Sequence, residues 1–292
     1  MDLEISEKVD EIGSVYEYDQ EHVHEHEHDH ECKHENEEDH ECKHENEEDH
    51  GHEEQEQFDI KIPKRIFQTH KSIEYIQSVP KLQNALNSWR RYVPEFGYHF
   101  FTDEMCDEFM KTEMVEEFGH VIYEAYNKLP LAVMKADLWR YCVIYKYGGI
   151  YADADAICIC NPNMFTLYDT MLVCAPENDV HLCQWCFAGP ANSPMLRSVI
   201  ELSLERIINI QEIKGEHIIH ELTGPGVFTD GIEMYLKSIN NPTYKQKHKY
   251  YLYKNPTMIC FMGERFHQTM IHHLFTSRDP DGWSNERYQK LM

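Results

Sequence analysis

Two aspartates one residue apart, Asp153 and Asp155, close a short apolar run that follows a double glycine, Gly148-Gly149. Carboxylates at i and i+2 of an extended segment point to the same side. At a strand end they can hold a hard divalent cation and leave positions open for phosphate oxygens. That is the chemistry of a site handling a nucleotide diphosphate. Upstream, Asp137 and Arg140 are three apart and share one face of a predicted helix, a stripe that Tyr141 and Ile144 continue. A surface ion pair is the common fate of such a spacing. A carboxylate beside a guanidinium is also what sugar hydroxyls and phosphates need. The spacing alone leaves both readings open.

Elements must position these residues. An amphipathic helix is predicted over 131–147, stopped by the glycines in a left-handed conformation, with a strand over 150–152 and further pairing over 157–160. A first strand is predicted over 66–69 and a second over 98–101. Between them, apolar spacing gives a helix over 81–92, stopped by Pro94. Thr102 is a candidate N-cap, and residues 115–129 read as one helix up to Pro130. Strand candidates follow at 171–175 and 186–188, then a helix from Pro194 to about residue 210. Gly224-Pro225-Gly226 reads as a turn. Strands alternating with helices predict an α/β fold with a mainly parallel sheet. Ligands of such sheets gather at the carboxyl ends of strands, where Asp153 and Asp155 fall.

Composition divides the chain at residue 57. Residues 1–57 hold 24 acidic residues against three lysines, ten of the 20 histidines, and a perfect repeat, ECKHENEEDH, at 31–40 and 41–50. Dense like charge with few apolar residues cannot offset ordering entropy, so this tail is expected to be disordered. Its His-x-His run at 22–30 is metal-prone by composition, and a solvated acidic extension is the plainer alternative. Residues 58–292 are close to neutral and fit one domain; a nucleic-acid binder would need a basic face. No apolar run reaches the roughly 18 residues of a spanning helix. No signal peptide is visible, so a soluble cytoplasmic, viral or bacterial setting is expected. The ten cysteines read mostly as buried free thiols, and Cys183-x-x-Cys186 lacks a second pair for zinc.

The run Ala136-Asp137-Leu138-Trp139-Arg140-Tyr141, followed by Tyr147-Gly148-Gly149-Ile150-Tyr151-x-Asp153-x-Asp155, resembles the signature of DXD-containing sugar transferases of glycosyltransferase family 32. The segment from Ile62 to Lys71 is similar to that family's opening strand, and Trp89 to Phe101 to its second strand. Thr223-Gly224-Pro225 is similar to a family turn. The resemblance implies a GT-A-type fold, a nucleotide-sugar donor (a UDP-sugar or GDP-mannose), Mn2+ or Mg2+, and retention of anomeric configuration. It implies that Asp137 and Arg140 hold the donor sugar, that Asp153 contacts ribose, sugar or metal, and that Asp155 ligates the metal. Gln68, Thr69 and His70 would line the base pocket, Tyr151 would join the donor site, and Gln184 would stand near the reaction centre. In the His272-His273-Leu274-Phe275 run, ahead of Gly282-Trp283, His273 is the favoured third metal ligand and His272 the alternative. Partners would be the nucleotide sugar and a glycan, lipid or protein acceptor.

Two other classes compete. A phosphatase of the haloacid dehalogenase type also uses Asp-x-Asp at a strand end, with one aspartate as nucleophile. That class carries the motif on an early strand and a Thr or Val two residues on, where this chain has Ala156-Ile157. A non-enzymatic metal-binding protein would make the tail its active part, but the intact Asp137, Arg140, Asp153 and Asp155 argue against an inert domain.

Overall fold

A computed structural model of the chain describes residues 60–167, 169–177, 180–215, 217–240, 243–245, 251–253, 260–261 and 270–274. All of them fall in one compact unit, Gln55–Met292. The tail readings, and those on Phe275, Gly282 and Trp283, lie outside the described residues.

The chain runs through β1 (Arg65–Thr69), α1 (Ile73–Ser78), α2 (Pro80–Arg90) and β2 (Gly97–Phe101). Next come α3 (Asp103–Lys111), α4 (Glu113–Phe118), α5 (His120–Lys128), α6 (Ala132–Tyr147) and β3 (Gly149–Ala152). β4 (Ala156–Cys158) is followed by a 3-10 turn (Pro162–Phe165), β5 (Val173–Cys174), β6 (Cys186–Gly189), α7 (Pro194–Asn209), α8 (Ile218–Leu222) and α9 (Pro225–Ser238). Four short strands close it: β7 (Thr243–Lys245), β8 (Tyr251–Tyr253), β9 (Cys260–Phe261) and β10 (Ile271–His273).

The main sheet has the order β2-β1-β3-β6-β5-β9. β1 pairs in parallel with β2 and β3, and β5 with β9; β6 runs antiparallel to both β3 and β5. The sheet is thus mixed and mainly parallel with flanking helices, the α/β class the sequence predicts. Period-two alternation feeds two cores. Phe67, Tyr151 and Phe187 enter one with α3, α5, α6, α7 and α9. Ile66, Ile150, Cys186 and Ala188 enter the other with Trp89, Phe96 and Ile271.

Several local expectations differ from the structure. α6 is not amphipathic: every residue from Asp137 to Tyr145 is buried. It lies between the sheet and α3 and α7, so no face is left to solvent. The helix expected over 115–129 is broken at Gly119 (φ 76°) into α4 and α5. Gly224-Pro225-Gly226 is a helix start, with Gly224 as N-cap and Pro225 in the first turn of α9. α1, capped by the Ser72 hydroxyl, was not expected. The strand expected over 157–160 leaves the main sheet and pairs antiparallel with β10. Thr102 and Ser193 do cap α3 and α7, accepting from Met105 N and Leu196 N. No described helix is long and apolar enough to cross a membrane.

Candidate active site

The glycines set the approach. Gly148 (φ 64°) ends α6, accompanied by an N–H bond to Ile144 O, but its ψ of 162° is extended rather than left-handed helical. A Cβ on Gly148 would sit 2.6 Å from Ala191 N, and one on Gly149 (φ 126°) 2.7 Å from Arg65 O. Only glycines allow β3 this close to β1. β3 ends at Ala152, so Asp153 and Asp155 do not lie on an extended strand as expected. They sit in a tight turn in which Ala156 N donates to Asp153 O at 2.9 Å. The turn still converges the two carboxylates.

β10 delivers the third group. His273 pairs opposite Ala156, and Leu274 N donates to Asp155 O at 3.0 Å. His273 Nε2 lies 3.1 Å from Asp155 Oδ1 and 3.6 Å from Asp153 Oδ2. Trp185 stacks on its imidazole at 4.5 Å between centroids. His272, on the opposite side of the strand, is exposed. Ligand atoms of Asp153, Asp155 and His273 lie within 4.8 Å of one another. Burial alone would lower the His273 pKa, but hydrogen bonds to Asp153 and Asp155 outweigh it and raise it to about 10. Two carboxylates and an imidazole that a proton now bridges form a donor set that fits a divalent cation.

α6 supplies the second cluster. Arg140 Nη2 lies 3.0 Å from Asp137 Oδ1 and 3.1 Å from Asp153 Oδ1. The Asp137 and Arg140 side chains are 3% and 4% exposed, so this is an interior pair and not a surface one. Gln184 Nε2 donates to Asp137 Oδ1 at 3.2 Å, and Thr223 Oγ1 to Asp137 Oδ2 at 3.1 Å. Gln184 Oε1 accepts from Arg140 Nη1 and from the Tyr141 hydroxyl. Tyr141 OH also donates to Thr223 O at 2.7 Å. The Tyr151 hydroxyl donates to Asp153 Oδ1 at 2.6 Å, and its ring lies 4.7 Å from the Arg140 guanidinium. Burial pushes the Asp137 carboxyl up to about 6 against the pull of Arg140. Burial would also raise Asp153, but Arg140 and His273 bring it below its ordinary value. Arg140 Nε is buried with no partner among the described residues.

The end of β1 is more structural than expected. Gln68 is fully buried; its Nε2 donates to Asp153 O at 3.0 Å and its Oε1 accepts from Tyr98 OH at 2.8 Å. It holds the aspartate turn to β1. Thr69 Oγ1 donates to Phe101 O at 2.9 Å. His70 is half-buried and stacked on Tyr75, and that burial lowers its pKa. The structure thus brings together Asp137, Arg140, Tyr151, Asp153, Asp155, Gln184 and His273. Sequence reasoning missed Thr223 as a partner of Asp137, and Trp185 as the plate behind His273. Thr223 stood inside a recognised motif, but nothing local linked it to a residue 86 positions away. Of the described cysteines, Cys183 and Cys186 are buried and free, with Cys183 Sγ directed at Cys186 O.

Residues 80–172 match the model of a family described as glycosyltransferase sugar-binding region containing DXD motif. The chain is 27% identical over 208 residues to the initiation-specific alpha-1,6-mannosyltransferase of Schizosaccharomyces pombe, covering 63% of this chain and 51% of that protein. It is 26% identical over 222 residues to the protein of the same name from Candida albicans, covering 64% and 57%. The chain thus spans about half the length of these relatives. Among solved structures it is similar to the PaToxG glycosyltransferase, at 18% identity and a TM-score of 0.47, over 61% of this chain and 71% of that one. The family match and the mannosyltransferase relatives bear out the GT32-like resemblance drawn from the sequence.

Proposed function

We propose that this GT32-like chain is a metal-dependent, retaining hexosyltransferase that moves a hexose from a nucleotide sugar to a glycan, lipid or protein acceptor. The observation that carries the reading is the junction at Asp153. One carboxylate oxygen faces a buried guanidinium and the other faces a half-open cation site. Asp153, Asp155 and His273 would hold Mn2+ or Mg2+. The imidazole ligand favours Mn2+ among the hard cations. Bound there, the ion acts as a Lewis acid on the diphosphate.

The protein's own groups do the rest. Arg140 carries the positive charge beside the cation site, with Nε as its one unassigned donor for a sugar hydroxyl or phosphate oxygen. Asp137 is clamped by Gln184 and Thr223, so its orientation is set before any ligand arrives. Tyr151 and Gln68 fix the Asp153 side chain and backbone respectively. The phosphatase alternative is not favoured. Its nucleophilic aspartate must be free to attack, whereas Asp153 Oδ1 is held by both Arg140 and Tyr151.

The test is a panel of nucleotide sugars with Mn2+, read as nucleotide release with and without EDTA. GDP-mannose goes first because the matched relatives are named mannosyltransferases. Release from one donor, abolished by EDTA, is the expected result. Orthophosphate release from phosphomonoesters, with no nucleotide release from any donor, would sink the reading.

A further inference from the structure

Beyond the aspartate turn the chain forms a second chemical feature that the transferase reading does not use. Cys158 ends β4, and Cys160 lies two residues on. Between them the strand bulges: Ile159 N and Cys160 N both donate to Met270 O, at 2.9 and 3.1 Å. Two consecutive residues facing one partner are the mark of a β-bulge, which kinks its strand. Cys158 Sγ donates to the backbone carbonyl oxygen of Cys160 at 3.0 Å. A disulfide needs its Cα atoms within about 4.4–6.8 Å, a distance that a regular strand only just allows between i and i+2.

Cys160 differs from the other described cysteines, and its neighbour Cys158 is buried at 1% exposure. Cys142, Cys174, Cys183 and Cys186 are fully buried. Burial raises the thiols of Cys142, Cys183 and Cys186, and pushes Cys106 up to about 12, which keeps them inert. Cys160 is half-buried. A hydrogen bond from the Cys158 thiol lowers its pKa, with the charge of Arg91 helping, and raises that of Cys158 in turn. Arg91 Nη2 donates to Cys158 O at 3.0 Å. An open cavity of about 450 Å³, walled by Arg91, Asn87 and residues 157–159, lies against this strand.

We propose that Cys158 and Cys160 form a dithiol modification site that a peroxide closes to a disulfide. The Cys160 thiolate attacks one peroxide oxygen; the O–O bond breaks, hydroxide leaves, and Cys160 becomes a sulfenic acid. Cys158 then gives up its proton and attacks that sulfur, forming the S–S bond and releasing water. Two thiols lose two electrons and two protons, and the peroxide is reduced to two waters. Cys158 pairs with Ile271, two residues before His273, so the linkage acts on the strand that presents the imidazole.

The experiment treats the full chain with hydrogen peroxide, alkylates remaining thiols in denaturant, and maps the cysteines by tandem mass spectrometry. The expected product is a chain lighter by two hydrogens, with Cys158 and Cys160 unalkylated and joined, reversed by dithiothreitol. Cys160→Ser should leave Cys158 as a free, alkylatable thiol after the same treatment. A sulfinic or sulfonic acid on Cys160 with Cys158 still free would overturn the proposal. So would linkage of Cys160 to Cys186, or oxidation confined to Cys32 and Cys42. None of these readouts needs transferase activity or bound metal, so a failure of the transferase reading is told apart from a failure here.

Discussion

Two clusters meet at Asp153 and are built in opposite ways. On the α6 side, Asp137, Arg140, Gln184, Thr223 and Tyr141 are buried and bonded to one another, so their orientation is set without a ligand, with Arg140 Nε left unpartnered among the described residues. On the β10 side, Asp153, Asp155 and His273 are each about one-fifth exposed and face one another across a gap. The first cluster sits in the core, where an unpaired charge costs most. The second opens to water, where charge is tolerated. Asp153 belongs to both, one oxygen to each, and under the proposed function it would couple donor orientation to metal binding.

The largest effect expected from breaking this contrast comes from Arg140. Arg140→Ala leaves Asp137 buried and uncompensated, and should lower the unfolding free energy by about 3–5 kcal/mol. Arg140→Lys should rescue little, because an ammonium cannot span Asp137, Asp153 and Gln184 at once. Urea unfolding measures both. A loss below about 1 kcal/mol would return the pair to the class of surface bridges.

A pH effect comes next. The folded-state pKa of Asp137, about 6, lies above its ordinary value of 3.8. Its contribution to stability is therefore fully present below pH 3.8 and is lost as pH rises through about 6. The loss is on the order of 2–3 kcal/mol. Asp137→Asn should remove that slope between pH 4 and 6. Parallel stability curves for the two proteins across this window would show that Asp137 folds already ionised.

The open cluster should respond in the reverse manner. Asp155→Ala is expected to cost part of the stability of the His273 ion pair without metal, the Asp153 contact remaining. It should abolish the stabilisation by excess Mn2+, about 2.7 kcal/mol at a hundredfold excess over Kd for the parent chain. Thermal unfolding with and without Mn2+ reads this directly. An unchanged Mn2+ response in the variant would move the cation elsewhere.

The smallest effect probes Thr223. Thr223→Val keeps the shape but leaves Asp137 Oδ2 without its hydroxyl donor, at a cost of about 1–3 kcal/mol. Thr223→Ser should restore most of it. The transferase reading adds a lower kcat with KM nearly unchanged for the valine variant. Equal kinetics for valine, serine and parent would reduce Thr223 to a helix-end residue.

Much of this was legible in the sequence. The apolar strand, the glycines and the acidic pair announced β3, though not the turn that carries the aspartates, because each is a local signal: side-chain alternation, the steric freedom of glycine, charge at a strand end. The choice of His273 over His272 followed from the family resemblance, in which apolar residues follow the histidine; in the structure His273 faces Asp153 and Asp155 while His272 is exposed, because alternate residues of β10 face opposite sides. The misreadings were also local. Residues 115–129 carry helical spacing throughout, but Gly119 breaks the helix there. The helix over 131–147 read as amphipathic, whereas Asp137 to Tyr145 are all buried, because period alone cannot show what covers a helix.

The sequence by itself determined the residue types that can hold a cation and a diphosphate, and the elements that carry them. Such choices depend on neighbours a few positions apart. The tertiary structure decided which groups share charge. It set Arg140 against Asp153, Thr223 on Asp137, His273 across from Asp155 with Trp185 behind it, and Gln68 on the aspartate turn rather than in an open pocket. These contacts join residues from 13 to 118 positions apart. Their energies depend on burial and distance, which no local pattern encodes.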